Sequence, residues 1–407
     1  MAAATTFDYV VRDRSGKTRA GTLDAPDQRA VASKLRDMGF APVSITQQRQ
    51  SALKKDLTIP GFGPKVGLKD LAVFSRQFAT MIDSGLSLIR ALNILAEQTD
   101  NKRLGQIIGE VRTEIEGGRG LSATLADHEE FPRLYVAMVR AGETAGMLDS
   151  VLVRIADTLE KDLELRRRIK SAMTYPVVVL IMAIVLTAVM LVFIVPVFVG
   201  MFESLGGTLP LPTKVLLALS SVIRQFWYVL VLLPIGGWQG FKYARKQPHI
   251  RRRLDAIKLK LPVFGQLFHK IALSRFTRNF GSLLRAGVPI LSALEITSET
   301  VNNAIIGEAI DDVQVAVREG ESVARPLAQH DVFPAMVVQM MAVGEETGAM
   351  DTMLVKISDF YDSEVTALTE SLTAMLEPLM IGVLGGIVGS MVIALYMPMF
   401  KIFELIQ

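Results

Sequence analysis

The chain has 407 residues, of which 50% are hydrophobic and 21% are charged, and its formal net charge is +3. Because a soluble domain has about 25% charged residues, this composition predicts that part of the chain faces lipid. The lack of cysteine excludes disulfides, thiolate metal sites and a cysteine nucleophile. The near balance of basic and acidic residues argues against a nucleic-acid-binding protein.

Residues 1–50 are predicted to form a small α+β module. Apolar side chains alternate at Phe7, Tyr9 and Val11, as expected for a half-buried strand. The predicted elements that follow are a turn, a second strand, a helix that starts at Asp24–Pro26, and a third strand (14–17, 20–23, 29–38 and 43–45). A polar and then Gly/Pro-rich segment at 51–67 predicts a linker.

Two long segments of the chain are copies of one another. They begin at Phe74 and Phe276, 202 residues apart, and keep this offset without a gap to Pro196 and Pro398. An ungapped register of this length does not arise by chance, so the sequence predicts a tandem repeat. Apolar residues recur in each copy at helical spacing, which predicts bundles of about six helices at 68–170 and 242–372.

Three apolar segments are predicted to cross the membrane. Residues 171–202 and 373–400 end the two copies, and each has a charge-free stretch longer than the ~20 residues that a spanning helix needs. Residues 222–241 form a weaker candidate, since Pro234 and neighbouring glycines interrupt it, and they have no counterpart in the repeat. The predicted fold is therefore a mainly α-helical integral membrane protein with a small α+β module.

The basic residues predict the orientation of these spans. Arg166, Arg167 and Arg168 precede the first span, and a basic segment at 242–253 follows the second. The positive-inside rule then places the N-terminus and both bundles in the cytoplasm, and the loop at 203–221 and the tail at 401–407 outside. The basic clusters are interpreted as topology signals that also contact anionic lipid.

Each copy contains an acidic turn, AGETAGMLD at Ala141–Asp149 and VGEETGAMD at Val343–Asp351. One interpretation is a tight turn between helices with glycine C-caps. A second is a surface carboxylate that docks a partner, and a third, minor one is a divalent-cation site. The residues concerned are Gly142, Glu143, Gly146, Gly344, Glu345 and Gly348.

The last span carries small residues at a spacing that lets membrane helices approach closely, at Gly382, Gly385, Gly386 and Gly389. Glycine is also frequent in membrane helices for other reasons, so helix packing here is a hypothesis. Glu377 is an acid directly before this span, which suggests either a functional carboxylate or one hydrated at the interface. The sequence has no recognisable catalytic, metal-binding or cofactor-binding motif, so we expect no enzymatic activity and no cofactor.

From Phe7 onward the chain resembles the inner-membrane platform proteins of type IV pilus and type II secretion machines. The resemblance rests on the F-[ST]-R-x-[FL] helix with its following glycine and the acidic turn in both copies, and on RRRIKSAMTYP, VPVFVGMFESLGGTLPLPT, EPLMIGVLGGIVG and YMPMFKI. The resemblance implies a non-enzymatic protein of the bacterial inner membrane that couples cytoplasmic assembly ATPases to the insertion of pilins into a fibre.

The same resemblance implies a set of partners. These are assembly or retraction ATPase hexamers, the membrane helices of pilins or pseudopilins, other inner-membrane alignment proteins and further copies of the chain. The acidic turns and Arg166–Arg168 are the candidate docking residues. A type IV pilus machine is favoured, a type II secretion machine is the alternative, and a membrane transporter subunit is a more distant one.

Overall fold

The computed structural model describes residues 5–12, 18–25, 27–47, 65–204, 210–244, 247–262 and 264–405. These residues fall into two compact units, one up to residue 63 and one from residue 64 onward. The first unit contains a sheet and a helix, and the second is helical in the part that is described. The prediction of a mainly helical chain with a small N-terminal α+β module is confirmed at this level.

The first unit is a three-stranded antiparallel sheet covered by one helix. Strand β1 (Thr5–Arg12) lies between β2 (Thr18–Ala25) and β3 (Ala41–Gln47), and α1 (Gln28–Asp37) packs on the sheet. The alternation of apolar residues in the sequence predicts a half-buried strand, and Phe7 and Val11 are buried between the sheet and the helix.

Helix α1 begins at Asp27, whose carboxylate accepts the N–H of Ala30 at 2.7 Å. The predicted helix, 29–38, differs from α1 by one residue at each end, but the predicted start signal at Asp24 was wrong, because Asp24 belongs to β2. The predicted turn at 14–17 and most of the predicted linker, 51–64, lie outside the described residues.

In the second unit, equivalent helices build the two repeats. Repeat one consists of α2 (Leu68–Asp83), α3 (Leu88–Gln98), α4 (Lys102–Glu116), α5 (Leu121–Ala126), α6 (Arg133–Ala145) and α7 (Leu148–Val189). A π-helical turn (Met190–Ile194) and α8 (Val195–Ser204) continue α7 to the end of copy one, and α9 (Leu211–Gln225), α10 (Trp227–Ala244) and α11 (Pro248–Lys260) lie between the repeats. Repeat two consists of α12 (Phe264–Arg285), α13 (Ile290–Thr300), α14 (Ala304–Arg318), α15 (Ala324–Leu327), α16 (Ala335–Glu346) and α17 (Met350–Leu405).

The two repeats share one hydrophobic core. Its buried residues run from Leu71 to Leu159 in repeat one and from Ala272 to Tyr361 in repeat two. Both repeats place a stacked aromatic pair in it: the ring centroids of Phe74 and Phe78 lie 5.5 Å apart, and those of Phe276 and Phe280 lie 5.9 Å apart. Residues that helical spacing assigns to the interior, such as Phe74 and Phe78, are thus buried in this common core.

Helices α7 and α17 run from the repeats into the predicted membrane segments. Within the described residues, two helical stretches are long and apolar enough to cross a membrane, 148–200 and 350–397. The pair α9 and α10 meets the same criterion only if the two helices, which are bent by 70°, count as one span. The α17 helix reaches Leu405, so it includes most of the segment that was predicted to be a C-terminal tail.

The structure differs from the prediction at 203–221, which was expected to be a short loop. Most of this segment belongs to α9, which packs against the far ends of the two long helices. The hydroxyl of Thr213 donates to the carbonyl of Ala394, and that of Ser220 donates to the carbonyl of Leu191, each at 2.6 Å. Hydroxyls lower the apparent hydropathy of α9, but these two are satisfied inside the fold.

Candidate functional site: the acidic turns and the interface between the repeats

The repeated acidic turns are the ends of α6 and α16. Gly146 has a φ of +69° and its counterpart Gly348 has a φ of +68°. A left-handed residue after a helix is a common C-cap and favours glycine, which has no Cβ to clash. The chain therefore bends at these glycines, and Glu143 and Glu345 lie in the last helical turn before the bend and not at the bend itself.

The other glycine of each turn lets two helices approach closely. A Cβ placed on Gly142 would lie 2.9 Å from the Cβ of Val151, at the start of α7. A Cβ placed on Gly344 would lie 2.9 Å from the Cα of Met350, at the start of α17. Both glycines therefore have the same packing role.

The two glutamates cap short helices. Glu143 accepts the N–H of Leu121 at 2.8 Å and the N–H and hydroxyl of Ser122 at 3.1 and 2.6 Å, at the start of α5. Glu345 accepts the N–H of Val323 at 2.9 Å and that of Ala324 at 3.3 Å, at the start of α15. A carboxylate at this position satisfies free backbone donors and interacts well with the helix dipole.

Glu143 is ionised in this environment. Burial alone raises its pKa, but the hydrogen bonds from Ser122 and Leu121 outweigh burial and hold the pKa below its usual range. The turn interpretation thus accounts for the glycines and the carboxylates, and partner docking through them stays a prediction. Among the described residues, no group of three or more potential metal ligands is close enough to hold an ion.

Sequence analysis did not assign α5 and α15, so it missed the capping role of the two glutamates. In both copies the glutamate lies 22 residues after the N–H that it accepts. The signal in the sequence was that both copies carry a glutamate at this position, Glu143 and Glu345.

A line of polar contacts along one face of α7 joins repeat one to repeat two, and we call it the seam. Arg154 donates to the carbonyl of Arg285, Thr158 and Ser282 share a hydrogen bond of 3.0 Å, and Lys161 donates to Asp359 at 2.6 Å. The α7 members are spaced by three and four residues, which places them on one side of the helix. The seam therefore joins α7 to both α12 and α17.

Buried charges lie beside the seam. Arg278, with 5% of its side chain exposed, pairs with Asp362, and Arg275 lies 3.4 Å from Asp162. Burial lowers the pKa of Arg275, and the charge of Asp162 opposes that effect. These arginines line a cavity of about 330 Å³ with side chains from both repeats. The signal for this cluster in the sequence is a departure from the repeat, since Val73 occupies the position equivalent to Arg275.

The predicted docking arginines lie on the surface of α7 just beyond the seam. Arg166 pairs with Asp162 at 2.9 Å and Arg168 pairs with Glu164 at 2.5 Å, while the side chain of Arg167 is exposed. Pairs at this spacing contribute little to helix stability. The side chains of Arg166 and Arg168 are 54% and 56% exposed, and the docking role of these arginines stays a prediction.

The glycines of the last span do not pack against another described part of this chain. A Cβ placed on Gly382, Gly385, Gly386 or Gly389 would have no described neighbour within 4 Å outside its own helix. Their hypothetical packing role would accordingly require a helix from another chain. Glu377 is exposed on α17 directly before Pro378, and its function also stays a prediction.

The membrane-directed helices α7, α9 and α17 border an apolar groove of about 810 Å³. Its lining includes Pro176 and Leu180 from α7, Val222 from α9, and Leu379 and Val383 from α17. An apolar surface of this kind suits contact with acyl chains or with a membrane helix.

Comparison with known proteins agrees with the observed repeat. A model described as type II secretion system (T2SS), protein F, matches residues 74–196 and again residues 276–398. A model of the N-terminal domain of that protein matches residues 1–46. The chain belongs to the type II secretion system protein F family. The resemblance stated from the sequence is confirmed, and each copy of the acidic turn lies inside one of the two family domains.

Members of the protein F family similar to this chain serve two kinds of machine. A type IV pilus assembly protein PilC from Thermus thermophilus is 45% identical over 397 residues, 97% of this chain and 98% of that protein. A PilC from Myxococcus xanthus is 42% identical over 406 residues, 100% of this chain and 97% of that protein. A type II secretion system protein F from Pseudomonas aeruginosa is 32% identical over 404 residues, 98% and 99% of the two chains. Family membership and the long apolar helices indicate a protein of the inner membrane.

Proposed function

We propose that this chain is the inner-membrane platform of a type IV pilus machine, where it couples the motion of a cytoplasmic assembly ATPase to the insertion of pilins. The two pilus relatives named above are 42% and 45% identical, whereas the secretion relative from Pseudomonas aeruginosa is 32% identical. The observation that carries the mechanism is that each family domain continues into a candidate membrane helix, and that the seam and the common core tie the two domains together.

The continuous helices suit the transmission of force. At a rise of about 1.5 Å per residue, α7 is roughly 60 Å long and α17 is roughly 80 Å long. A helix of this kind carries a displacement of the bundle into the membrane without an intervening loop. Because α7 contacts α12 and α17 along the seam, a push on either repeat moves both long helices together.

The orientation we propose places the N-terminus and both repeats in the cytoplasm and the C-terminus outside. Its support is the basic segment before α7 enters the membrane and the basic segment after α10. The repeats then face cytoplasmic ATPase hexamers, with Arg166–Arg168 and the neighbourhood of the acidic turns as docking surface.

We propose that the membrane partners contact the apolar groove and the glycine face of α17. They are pilin membrane helices, other alignment proteins of the inner membrane and a second copy of the chain in a homo-oligomer. Because the glycine face has no described neighbour in this chain, a helix from another chain can approach its backbone closely.

Deletion of the gene tests which machine the chain serves. We expect loss of surface pili, unchanged secretion of folded proteins, and recovery of pili when the chain is supplied again. Loss of secretion with normal pili would instead show a type II secretion platform. Loss of solute uptake with both processes intact would show a transporter subunit.

A flexible insertion tests the coupling mechanism. We expect a Gly-Ser-Gly-Ser insertion after Ala172, inside α7, to abolish piliation while the chain still reaches the membrane, because the bundle and the span then move separately. The matched control is the same insertion after Gly206, between the two long helices. Normal piliation with the insertion after Ala172 would contradict mechanical transmission through α7.

A further inference from the structure

Helix α11, between the last residues of α10 and repeat two, exposes an apolar stripe. Ile250, Ile257 and Leu261 have 36%, 58% and 42% of their surface exposed. Ile250 and Ile257 are seven residues apart, so they lie on one side of the helix, and Leu261 is the C-cap residue four positions further on. Exposed residues of this size on one face of a short helix indicate a surface that is covered in the working protein.

Basic residues flank the apolar stripe. By helical position, Arg253 and Lys260 lie on one side of it, and Arg251 and Lys258 lie on the other. The segment from Lys242 to Lys260 carries eight basic residues and one acidic residue. An apolar stripe between two basic borders is the pattern of a helix that lies in the interface of an anionic membrane.

The opposite face of α11 is fixed to repeat two. Asp255 is 1% exposed, accepts the N–H of Ala304 at 3.1 Å at the start of α14, and accepts a hydrogen bond from Lys258 at 2.6 Å. Arg252 donates to both carboxylate oxygens of Glu308, at 2.8 and 2.9 Å. These contacts set the rotation of α11, so the apolar stripe necessarily points away from the bundle.

Both ends of α11 are close to the predicted membrane surface. The helix begins four residues after Ala244, where the candidate span α10 ends. Shortly after it ends, Phe264 packs against a cluster that includes Leu165 and Leu372, each six residues before its long helix becomes charge-free. Phe264 also borders the apolar groove. A helix about 20 Å long with both ends at this level lies along the surface.

We propose that α11 is an in-plane anchor that inserts its apolar stripe into the bilayer interface and binds anionic phospholipid headgroups through its basic borders. It holds repeat two at a fixed height and rotation against the membrane, with Asp255 and Arg252 as the links to the bundle. Only the choice of leaflet, the cytoplasmic one, rests on the proposed function.

The chain has no cysteine, so a single introduced cysteine reports one position. The experiment reconstitutes the full chain with Ile257→Cys, carrying a fluorescent label sensitive to polarity, in vesicles of phosphatidylcholine with or without phosphatidylglycerol. The matched control is Ala256→Cys, which is partly exposed on another side of the same helix and takes no part in the contacts that link α11 to repeat two. Lipids with a quencher on the acyl chain measure insertion, and neither ATPase nor pilin is present, so failure of the proposed function leaves the result intact.

We expect the label at position 257 to be quenched several-fold more than the label at position 256, and more strongly when phosphatidylglycerol is present. Adding Arg253→Gln and Lys260→Gln should remove the part of the quenching that depends on phosphatidylglycerol. Equal quenching at the two positions would overturn the proposal. It would also be overturned by a label at 257 that is shielded from water but not quenched, since a second copy or another protein would then cover the stripe, and by quenching that ignores lipid charge.

Discussion

The two repeats hold equivalent arginines in very different surroundings. In repeat one, the side chain of Arg76 is 37% exposed and binds both Asp157 and Glu160. In repeat two, the counterpart Arg278 is 5% exposed and binds Asp362 as its carboxylate partner. Among the described residues, its Nε and one terminal nitrogen have no hydrogen-bond partner.

The difference between these arginines arises at the seam. Asp359 is the counterpart of Asp157, but it accepts from Lys161 of repeat one and so does not bind Arg278. The two copies therefore share the parts that shape each bundle, which are the glycine turns and the glutamate caps. They differ in the charges where the bundles meet. Positions at which the two copies carry different residues thus indicate where the copies contact each other.

The largest expected effect is a difference in stability between variants of Arg278 and Arg76. Arg278→Gln leaves Asp362 with an unbalanced charge in a poorly solvated site, which typically costs about 3–5 kcal/mol. Arg76→Gln removes an exposed pair, for which about 1 kcal/mol or less is expected. Thermal unfolding of the purified chain in a mild detergent measures the difference. Equal shifts of the unfolding temperature in the two variants would show that the two arginines contribute equally to stability.

The glycines that allow close helix approach should behave alike in both repeats. Gly142→Ala and Gly344→Ala each place a methyl group 2.9 Å from a carbon atom of the neighbouring helix. We expect about 1–3 kcal/mol of destabilisation from each substitution. Gly109→Ala is the matched control, because no described atom lies near a Cβ at this position of α4. That variant should be neutral or slightly stabilising. Tolerance of alanine at position 142 alone would show that the repeats are packed differently.

The contribution of the Glu143 cap to stability should depend on pH. The pKa of Glu143 is lowered in the folded chain, so its contribution is fully present above the unfolded value of about 4.3. It is lost as the pH falls through the folded value. We expect Glu143→Gln to cost about 1–2 kcal/mol at pH 7 and to differ less from the parent chain in acid. Unfolding at a series of pH values measures this, and a constant difference would contradict the assignment.

The smallest expected effect is at the rim of the interface between the repeats. Arg133 donates to Glu299 at 2.5 and 2.6 Å, but the side chains are 71% and 44% exposed. A double-mutant cycle with Arg133→Ala and Glu299→Ala should give a coupling below about 1 kcal/mol, which decreases further at high salt. A coupling as large as the cost of Arg278→Gln would show that the rim, and not the buried charge, joins the repeats.

Much of this fold could be predicted from the sequence because its signals are periodic. Helical spacing and the offset of 202 residues located the helices, the shared register and the two long apolar segments. The short helices α5 and α15 were missed because six and four residues are too few to show a period. Helix α9 was missed because Lys214 and Arg224 interrupt its apolar residues, although hydroxyls of α9 bind carbonyls of α17 and of the π-helical turn.

The candidate site was harder to predict than the fold. The acidic turns were found as motifs, but the partners of Glu143 and Glu345 lie 22 residues away along the chain. The seam joins residues more than 120 positions apart, such as Thr158 and Ser282. Contacts of this kind depend on how two finished bundles meet, and no local pattern in the sequence encodes them.

The central claim is that both repeats lie in the cytoplasm as one coupled body. Its most direct test uses single cysteines at Glu129 and Asp331, equivalent exposed positions in the two repeats, and at Thr208 in the predicted external segment. A maleimide that cannot cross the inner membrane should label position 208 in intact cells and positions 129 and 331 only after permeabilisation. Labelling of either 129 or 331 in intact cells would place a repeat outside and contradict the account.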